Sequence, residues 1–221
     1  MIALPFLDAN TPSERFPPLH EALDEPNGLL AAGGCLSSER LINAYRHGVF
    51  PWFSEGEPIL WWSPDPRLVL FPHQLHISKR LAKTLRQAKF EVTTNRAFAC
   101  VIEQCAAQRL HAEGTWISED IKKAYIALHQ QGIAHSFEAW REGELVGGLY
   151  GIKLGRLFFG ESMFHTQSDA SKVAFVHGVN QLASQGVALI DCQVYSEHLA
   201  SLGAEEMSRA EFSTLLTIYC A

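Results

Sequence analysis

The pattern of apolar and polar residues is most informative in the second half of the chain, where strand-like segments alternate with turn signals. Three such segments are separated by Glu142-Gly143 and Leu154-Gly155, dipeptides typical of tight hairpin turns. After them, Ser168 or Asp169 is placed to cap a helix that extends to residue 185, and a buried strand follows. The predicted strands cover residues 134–141, 144–153, 156–164 and 187–194.

Helical periodicity and capping residues mark several other segments. Helices are predicted near residues 38–47, 96–108, 118–131, 197–202 and 209–218. The chain before residue 65 is instead rich in Gly and Pro turns. We therefore expect an α+β protein with two domains. A small turn-rich domain covers residues 1–65, and residues 66–221 form a mixed, largely antiparallel sheet flanked by helices.

A further helix, which Ser78 can cap, has two chemically different faces. Leu81 and Leu85 recur on one face, whereas Lys and Arg residues occupy the other. A solvated helix face is the usual explanation of such a pattern. However, residues 66–90 contain six of the 18 Lys and Arg residues and no Asp or Glu, which favours phosphate binding. The predicted phosphate-binding residues are Lys79, Arg80, Lys83 and Arg86.

Composition is that of an ordinary globular protein, with 47% hydrophobic residues and a mean hydropathy of −0.01. The N-terminus lacks the basic segment of a signal peptide and no apolar run approaches a membrane span, so we expect a cytoplasmic protein. Five cysteines form no C-x-x-C pair and the histidines are scattered, so we predict neither disulfides nor a metal site. The net charge of −6 by itself argues against a nucleic-acid partner, so the local basic stretch is the feature of the charge distribution that favours one.

Polar side chains interrupt two of the apolar strands. Glu161 follows Phe158 and Phe159, and Asp191 and Gln193 lie on the later strand. Because burying an unpaired carboxylate is costly, this placement indicates a reaction site. Residues two positions apart on a strand share a face, so Asp191 and Gln193 are expected to project into one cleft.

Structural roles are the alternative for both carboxylates. Asp191 would then cap a helix or pair with Arg156 or Lys172, and Glu161 would pair with Lys172. Because neighbouring strands are expected to bring three polar groups together, we favour a functional role for these residues over a structural one. No His lies at a spacing that suggests a nucleophilic dyad, so a covalent mechanism is not expected.

These residues belong to ordered motifs that resemble the bacterial leucyl/phenylalanyl-tRNA–protein transferase family from about residue 16 to residue 212. The resemblance implies a GNAT-like (acetyltransferase-like) core and no metal or organic cofactor. It also implies transfer of Leu or Phe, with Met as a further donor, from aminoacyl-tRNA to proteins that begin with Arg or Lys, which marks them for degradation. The motifs are Phe50-Pro51-Trp52-Phe53, Leu60-Trp61-Trp62-Ser63-Pro64-Asp65-Pro66-Arg67, Gly114-Thr115-Trp116-Ile117, Phe158-Phe159-Gly160-Glu161-Ser162-Met163-Phe164, Asp191-Cys192-Gln193 and His198-Leu199-Ala200-Ser201-Leu202-Gly203-Ala204.

The resemblance also implies roles for the polar trio. The positions of Asp191 and Gln193 orient and polarise the attacking amine in the family, with Asp191 either a base or an orienting group. Glu161 holds the basic N-terminal residue of the acceptor or assists catalysis. An aminoacyl ester is already activated, so alignment of the two substrates can supply much of the rate increase.

Aromatic residues suggest how the unpaired 3′ end of tRNA binds. Trp52 and Trp116 lie in loop-like contexts, where exposed rings can stack on the terminal adenosine. Tyr45 and Tyr125 are expected to support that site, although each also fits the apolar face of its own helix.

Apolar residues near the carboxylates predict a pocket for the side chain of the transferred amino acid, although core packing is the alternative for each of them. Strict alternation places Met163 on the face of Glu161 but Ile190 opposite Asp191, so a shared pocket requires a β-bulge. The predicted pocket residues are Leu149, Met163, Phe175 and Ile190.

Two other functions are compatible with parts of this pattern. An acetyl-CoA-dependent N-acetyltransferase would need a Q/R-x-x-G-x-G/A loop before the main helix, whereas residues 165–172 contain no glycine. A non-catalytic tRNA-binding module would explain the basic helix and the tryptophans but not Glu161, Asp191 and Gln193. We therefore predict a monomeric aminoacyltransferase whose partners are aminoacyl-tRNA and acceptor proteins.

Overall fold

The structure is a computed structural model that describes residues 4–110 and 116–220. Its N-terminal part contains a small sheet of four short strands, which the sequence pattern did not predict. These are β1 (Phe6–Leu7), β2 (Leu29–Gly33), β3 (Phe50–Pro51) and β4 (Leu60–Trp62). They lie in the order β1-β2-β4-β3, with β1 parallel to β2 and the other pairs antiparallel.

A larger sheet of seven strands follows in the order β11-β5-β10-β9-β8-β7-β6. Its strands are β5 (Arg67–Leu70), β6 (Glu91–Thr94), β7 (Ala134–Arg141), β8 (Glu144–Leu154), β9 (Leu157–His165), β10 (Leu189–Gln193) and β11 (Glu205–Met207). Strands β9 and β10 are parallel, and the other neighbours are antiparallel. This confirms the predicted α+β class, with a mixed, largely antiparallel sheet and a β7-β8-β9 meander.

Seven α-helices accompany the sheets in the described parts of the chain: α1 (Ser38–Arg46), α2 (Lys79–Arg86), α3 (Phe98–Leu110), α4 (Glu119–Gln130), α5 (Ala170–Ser184), α6 (Glu197–Ala200) and α7 (Arg209–Tyr219). Ser37, Ser78 and Ser118 cap their helices by accepting a hydrogen bond from a backbone N–H. None of the helices within residues 4–110 and 116–220 is long and apolar enough to cross a bilayer.

Helix α5 begins differently from the prediction. Asp169 occupies its cap position in a left-handed conformation (φ 67°) and makes no side-chain capping bond. The Asp169 carboxylate instead accepts a hydrogen bond from Thr84 Oγ1 of α2 at 3.2 Å. The predicted side-chain cap is therefore wrong, because contact with α2 replaces it.

Close packing sets the position of α5 against the larger sheet. A Cβ atom on Gly147 of β8 would lie 2.7 Å from the carbonyl carbon of Ala170, so only glycine permits this approach. The first turns of α5 thereby reach the cavity described below, and Ser171 and Phe175 line its wall.

The hydrophobic core extends across the predicted domain boundary. One cluster joins Leu7, Tyr45 and Trp61 to Tyr125 of α4 and Phe212 of α7, all of them buried. The N-terminal sheet therefore packs directly on elements of the larger part. The division at residue 65 stays a prediction.

Candidate active site

A cavity of about 710 Å³ lies where the N-terminal sheet meets the larger sheet. Its wall is built from the segment after β3, the end of α3, strands β8 and β9, the start of α5 and the end of β10. Most residues predicted for the site line it together, although the sequence places them far apart. These are Trp52, Trp116, Leu149, Glu161, Met163, Phe175, Ile190 and Gln193. Gly114 and Thr115 of the tryptophan motif lie outside the described residues.

Glu161 lies in this wall and is held by neutral hydrogen-bond donors. Tyr45 donates its hydroxyl to Oε1 at 2.7 Å, Gln193 Nε2 donates to the same oxygen at 2.9 Å, and Tyr125 donates to Oε2 at 3.0 Å. The two tyrosine hydroxyls also contact each other. Within the described ranges no cation pairs with Glu161, so the alternative of an ion pair with Lys172 is wrong.

Burial dominates the acid–base behaviour of Glu161. The side chain is 8% exposed, and loss of hydration raises its pKa to about 7 although the tyrosine hydrogen bonds oppose this shift. Burial and the Glu161 carboxylate raise the pKa of Tyr45 and Tyr125 well above the usual range. The tyrosines therefore remain protonated donors, whereas Glu161 can change its charge near neutral pH.

Asp191 has a different environment behind the cavity wall. It is fully buried, and Arg67 donates from Nε to Oδ1 at 2.8 Å and from Nη2 to Oδ2 at 2.6 Å. The guanidinium lies between the rings of Phe50 and Phe212, 4.9 and 4.7 Å from their centroids. Asp191 therefore has an ion-pair partner, but it is Arg67 rather than Arg156 or Lys172.

The expectation that Asp191 and Gln193 project side by side into the cleft is wrong. Gln193 lines the cavity, but Asp191 does not. The pairing register shifts between these residues, and Gln193 has a left-handed backbone with φ 67°. As a result Gln193 Nε2 reaches Glu161, while its backbone N–H donates to Asp191 Oδ1 at 2.9 Å.

The aromatic residues divide into two groups. Trp52 is 46% exposed and Trp116 is half-buried, and both line the cavity with ring surface available. Tyr45 and Tyr125 are fully buried, so neither offers a face to a base. The expectation that these two tyrosines belong to the adenosine-stacking site is therefore wrong. Their apolar helix faces bury them, and their hydroxyls bind Glu161 instead.

The four predicted pocket residues line one cavity. Ile190 lines the cavity and its neighbour Asp191 does not, which is the alternation expected on a strand. The predicted conflict therefore disappears because Asp191 does not face the pocket, whereas the register shift after Asp191 places Gln193 at the cavity. Met163 and Ile190 thus face the same space, together with Leu149, Phe175 and the ring of Phe158. This apolar wall lies beside the polar group formed by Glu161 and Gln193.

Sequence reasoning missed two arginines and one tyrosine. Arg67 was counted as part of the basic stretch, but it is 1% exposed and pairs with Asp191. Arg109 lines the cavity and donates from Nε to Ser162 Oγ at 3.0 Å. Tyr150 also lines it, with a buried hydroxyl that has no hydrogen-bond partner among the described residues. The Pro-Asp-Pro-Arg motif singled out Arg67 in the sequence, but nothing there indicated its partner.

Helix α2 presents its predicted cations to solvent. Lys79, Lys83 and Arg86 are exposed, and Arg80 lies 3.7 Å from the Asp169 carboxylate. Together with Lys89, Arg141 and the turn at residues 167–169, part of this helix lines a second cavity of about 580 Å³. This arrangement permits phosphate binding and equally fits a solvated face, so the role of α2 stays a prediction.

Comparison with known proteins gives one consistent family. The model of the leucyl/phenylalanyl-tRNA protein transferase family matches residues 69–217, and the model of its N-terminal domain matches residues 34–65. A transferase of that description from Pseudomonas fluorescens is 61% identical over 201 residues, which cover 91% of this chain and 89% of the relative. One from Methylococcus capsulatus is 56% identical over 98% of this chain and 92% of its own.

A GCN5-related N-acetyltransferase from Kribbella flavida is among the similar solved structures. It aligns with a TM-score of 0.40 and 10% identity over 74% of this chain and 58% of its own.

Proposed function

Because the chain belongs to the leucyl/phenylalanyl-tRNA protein transferase family and is therefore an enzyme, we propose the following reaction. The enzyme transfers Leu or Phe, with Met as a further donor, from aminoacyl-tRNA to the N-terminus of a protein. The acceptor begins with Arg or Lys, and the added residue marks it for degradation. The enzyme acts as a monomer in the cytoplasm, where aminoacyl-tRNA is available.

The reaction exchanges one acyl bond for another. The α-amine nitrogen of the acceptor attacks the ester carbonyl, a C–N bond forms, and the bond to the 3′ oxygen of the terminal adenosine breaks. The acceptor enters as an ammonium and must lose one proton before its nitrogen attacks. The nitrogen loses a second proton as the amide forms, and the departing 3′ oxygen gains one. A group that exchanges a proton near neutral pH at this position would assist both steps.

Glu161 is the group best suited to that proton exchange, and its position and environment are the main support for the proposed reaction. It lines the cavity, its carboxylate is fixed by three donors, and its pKa of about 7 lies near the working pH. In its ionised form it accepts a proton from the acceptor ammonium or holds that ammonium in place. Hydrogen bonds from Tyr45 and Tyr125 fix its orientation.

Gln193 and Asp191 act with Glu161 in different ways. Gln193 contacts both the cavity and Glu161, so we assign its amide to orienting the attacking amine. Asp191 holds the backbone of Gln193 and does not line the cavity, which favours an orienting role over that of a base. The family motif Asp191-Cys192-Gln193 is thus interpreted as one structural unit.

The donor occupies the remaining surfaces. Leu149, Met163, Phe175 and Ile190 accept the uncharged side chain, and polar amino acids are disfavoured by the cost of desolvation. The indoles of Trp52 and Trp116 stack on the terminal adenosine. Phosphates farther along the tRNA bind the exposed cations of α2: Lys79, Arg80, Lys83 and Arg86.

A transfer assay tests this function directly. Radiolabelled Leu-tRNA or Phe-tRNA is mixed with otherwise identical peptides that begin with Arg, Lys or Ala. Label should pass to the Arg and Lys peptides and not to the Ala peptide. Binding of tRNA without any transfer would refute the enzymatic proposal, and equal labelling of all three peptides would refute the acceptor rule.

A further inference from the structure

Arg109 lies in the cavity wall without an assigned role. It is exposed, lies near the end of α3, and its Nε donates to Ser162 Oγ, the side chain that follows Glu161 in sequence. Within residues 4–110 and 116–220, no carboxylate lies within ion-pair distance of its guanidinium. Of the Lys and Arg residues that are described, it alone lines this cavity.

The other ionisable groups near the cavity do not neutralise this charge. Asp191 is paired with Arg67 behind the wall, and Glu161 is held by neutral donors with its pKa raised to about 7. His198 also lines the cavity, and burial lowers its pKa, which favours the neutral imidazole. The cavity therefore contains a guanidinium available to an anionic part of a ligand.

The donor proposed above has one obligatory anion close to its reactive ester. Neither the base nor the aminoacyl group is an anion, because the side chain of Leu or Phe is uncharged and its α-amine is basic. The 5′ oxygen of the adenosine, in contrast, is joined to the preceding nucleotide by an anionic phosphodiester. A guanidinium presents parallel N–H donors that match two phosphate oxygens. With Nε donating to Ser162, the terminal nitrogens of Arg109 have the geometry for such a contact.

We propose that Arg109 binds the phosphodiester that links the terminal adenosine to the rest of the tRNA. This inference rests on the proposed function, since it concerns the same donor. Arg109 then fixes the 5′ side of the nucleoside while Trp52 and Trp116 bind its base, so that the 3′ ester lies near Glu161 and Gln193. The contact is distinct from those of α2, because no residue of α2 lines this cavity.

Two unreactive donor analogues test the inference. Both contain phenylalanine joined by an amide to the 3′ position of adenosine, and one also carries a 5′-methylphosphate with the single charge of a phosphodiester. Calorimetry measures their affinities for the full-length enzyme. The two analogues differ by a hydrogen bond between Arg109 and a charged phosphate. The wild type should therefore bind the phosphorylated analogue roughly 10- to 100-fold tighter than the analogue that lacks phosphate.

Variants assign that preference to one side chain. Arg109→Gln should bind both analogues equally, with the affinity of the wild type for the analogue that lacks phosphate. Arg109→Lys should keep part of the preference, because it retains the charge but not the paired donors. Arg15→Gln is the matched control, since Arg15 is exposed and does not line the cavity, and it should behave as the wild type.

Three results would overturn the inference. These are equal affinities in the wild type, an undiminished preference in Arg109→Gln, or an equal loss of affinity for both analogues in Arg109→Gln, which would indicate a structural role. The proposed function is tested separately by transfer from full-length Phe-tRNA. A wild type that transfers Phe but binds both analogues equally would refute the role of Arg109 alone.

Discussion

Two buried carboxylates lie on neighbouring strands of the same sheet, and their surroundings differ in kind. Glu161 of β9 lines the cavity and accepts hydrogen bonds from two tyrosines and one amide, all of them neutral. Asp191 of β10 lies behind the wall and is paired with the guanidinium of Arg67. Gln193 connects the two through its side chain and its backbone.

The comparison shows that one fold can place two carboxylates in chemically different surroundings. The Arg67 guanidinium fixes the position of the Asp191 carboxylate by donating one hydrogen bond to each of its oxygens. Neutral donors only partly offset the loss of hydration, so the Glu161 pKa rises to about 7 and its charge can change near neutral pH. We therefore expect Asp191 to maintain geometry and Glu161 to exchange the proton.

Breaking the Arg67–Asp191 pair should produce the largest effect. Arg67→Met leaves an unpaired buried carboxylate, which should lower the free energy of unfolding by roughly 3–5 kcal/mol. Urea denaturation at pH 8 measures this loss. The double variant Arg67→Met with Asp191→Leu removes both charges and should be more stable than the single variant. A single variant within about 1 kcal/mol of the wild type would show that the pair is not structural.

The same pair should affect turnover more than tRNA binding. Asp191→Asn keeps the shape of the side chain but weakens its hold on Arg67, so kcat should fall while the Kd for Phe-tRNA stays nearly unchanged. Single-turnover transfer and filter binding measure the two quantities. Unchanged turnover would remove Asp191 from any catalytic or orienting role.

Glu161 should give the wild type a pH-dependent stability that a Gln variant lacks. Its pKa is about 7 in the folded protein against an ordinary value of 4.5 for a glutamate side chain, so the folded state binds a proton more strongly than the unfolded state. This contribution is fully present below pH 4.5 and is lost as pH rises through 7. Between pH 5 and 8 the wild type should lose up to about 3 kcal/mol relative to Glu161→Gln.

Urea denaturation of both proteins across that pH range measures the difference. The comparison with Glu161→Gln cancels the other titrating groups, because the two chains differ only at this side chain. If the free energies of unfolding of the two proteins change with pH in parallel, Glu161 has an ordinary pKa. Its hydrogen-bonded surroundings would then have no special effect on its charge.

Tyr45→Phe should have an intermediate effect. Loss of the hydroxyl removes one hydrogen bond from a buried carboxylate, which should cost about 1–3 kcal/mol and raise the Glu161 pKa further. If Glu161 accepts the proton, the rise of kcat with pH should therefore move to higher pH in Tyr45→Phe. It should be absent in Glu161→Gln, and a pH profile that is identical in all three proteins would exclude Glu161 as the proton acceptor.

The exposed cations of α2 should have the smallest effect on stability. Replacing Lys79, Lys83 and Arg86 with Ala should change the free energy of unfolding by less than about 0.5 kcal/mol, because these side chains are solvated. If they bind phosphates, the slope of log K against log salt for tRNA should fall by roughly 2 to 3. An unaltered slope would leave α2 as a solvated helix face.

Local sequence signals were sufficient for most regular elements of the larger part. The hairpin turns at Glu142-Gly143 and Leu154-Gly155 set the β7-β8-β9 meander, and serine caps set α2 and α4. Strands β5, β6 and β11 were missed because they are three or four residues long and depend on pairing with distant strands.

The residue pattern alone was enough to identify the candidate residues of the site. Glu161 and Gln193 are polar residues in otherwise apolar strands, and Trp52 is an aromatic residue in a turn. Such residues are unusual in these positions, so they can be recognised from the sequence. Ordered motifs also placed the protein in its family, since they depend only on residue type and order. Both kinds of signal are local, so they can be recognised in the sequence before the fold is known.

The arrangement of those residues, and the partners that they contact, became visible in the folded chain. A register shift and one left-handed residue turned Gln193 toward Glu161 and left Asp191 behind the wall. Arg67 reached Asp191 across 124 positions, and Tyr45 reached Glu161 across 116. The pKa of Glu161 depends on burial and on such distant neighbours, so no local pattern in the sequence shows that this carboxylate titrates near neutrality.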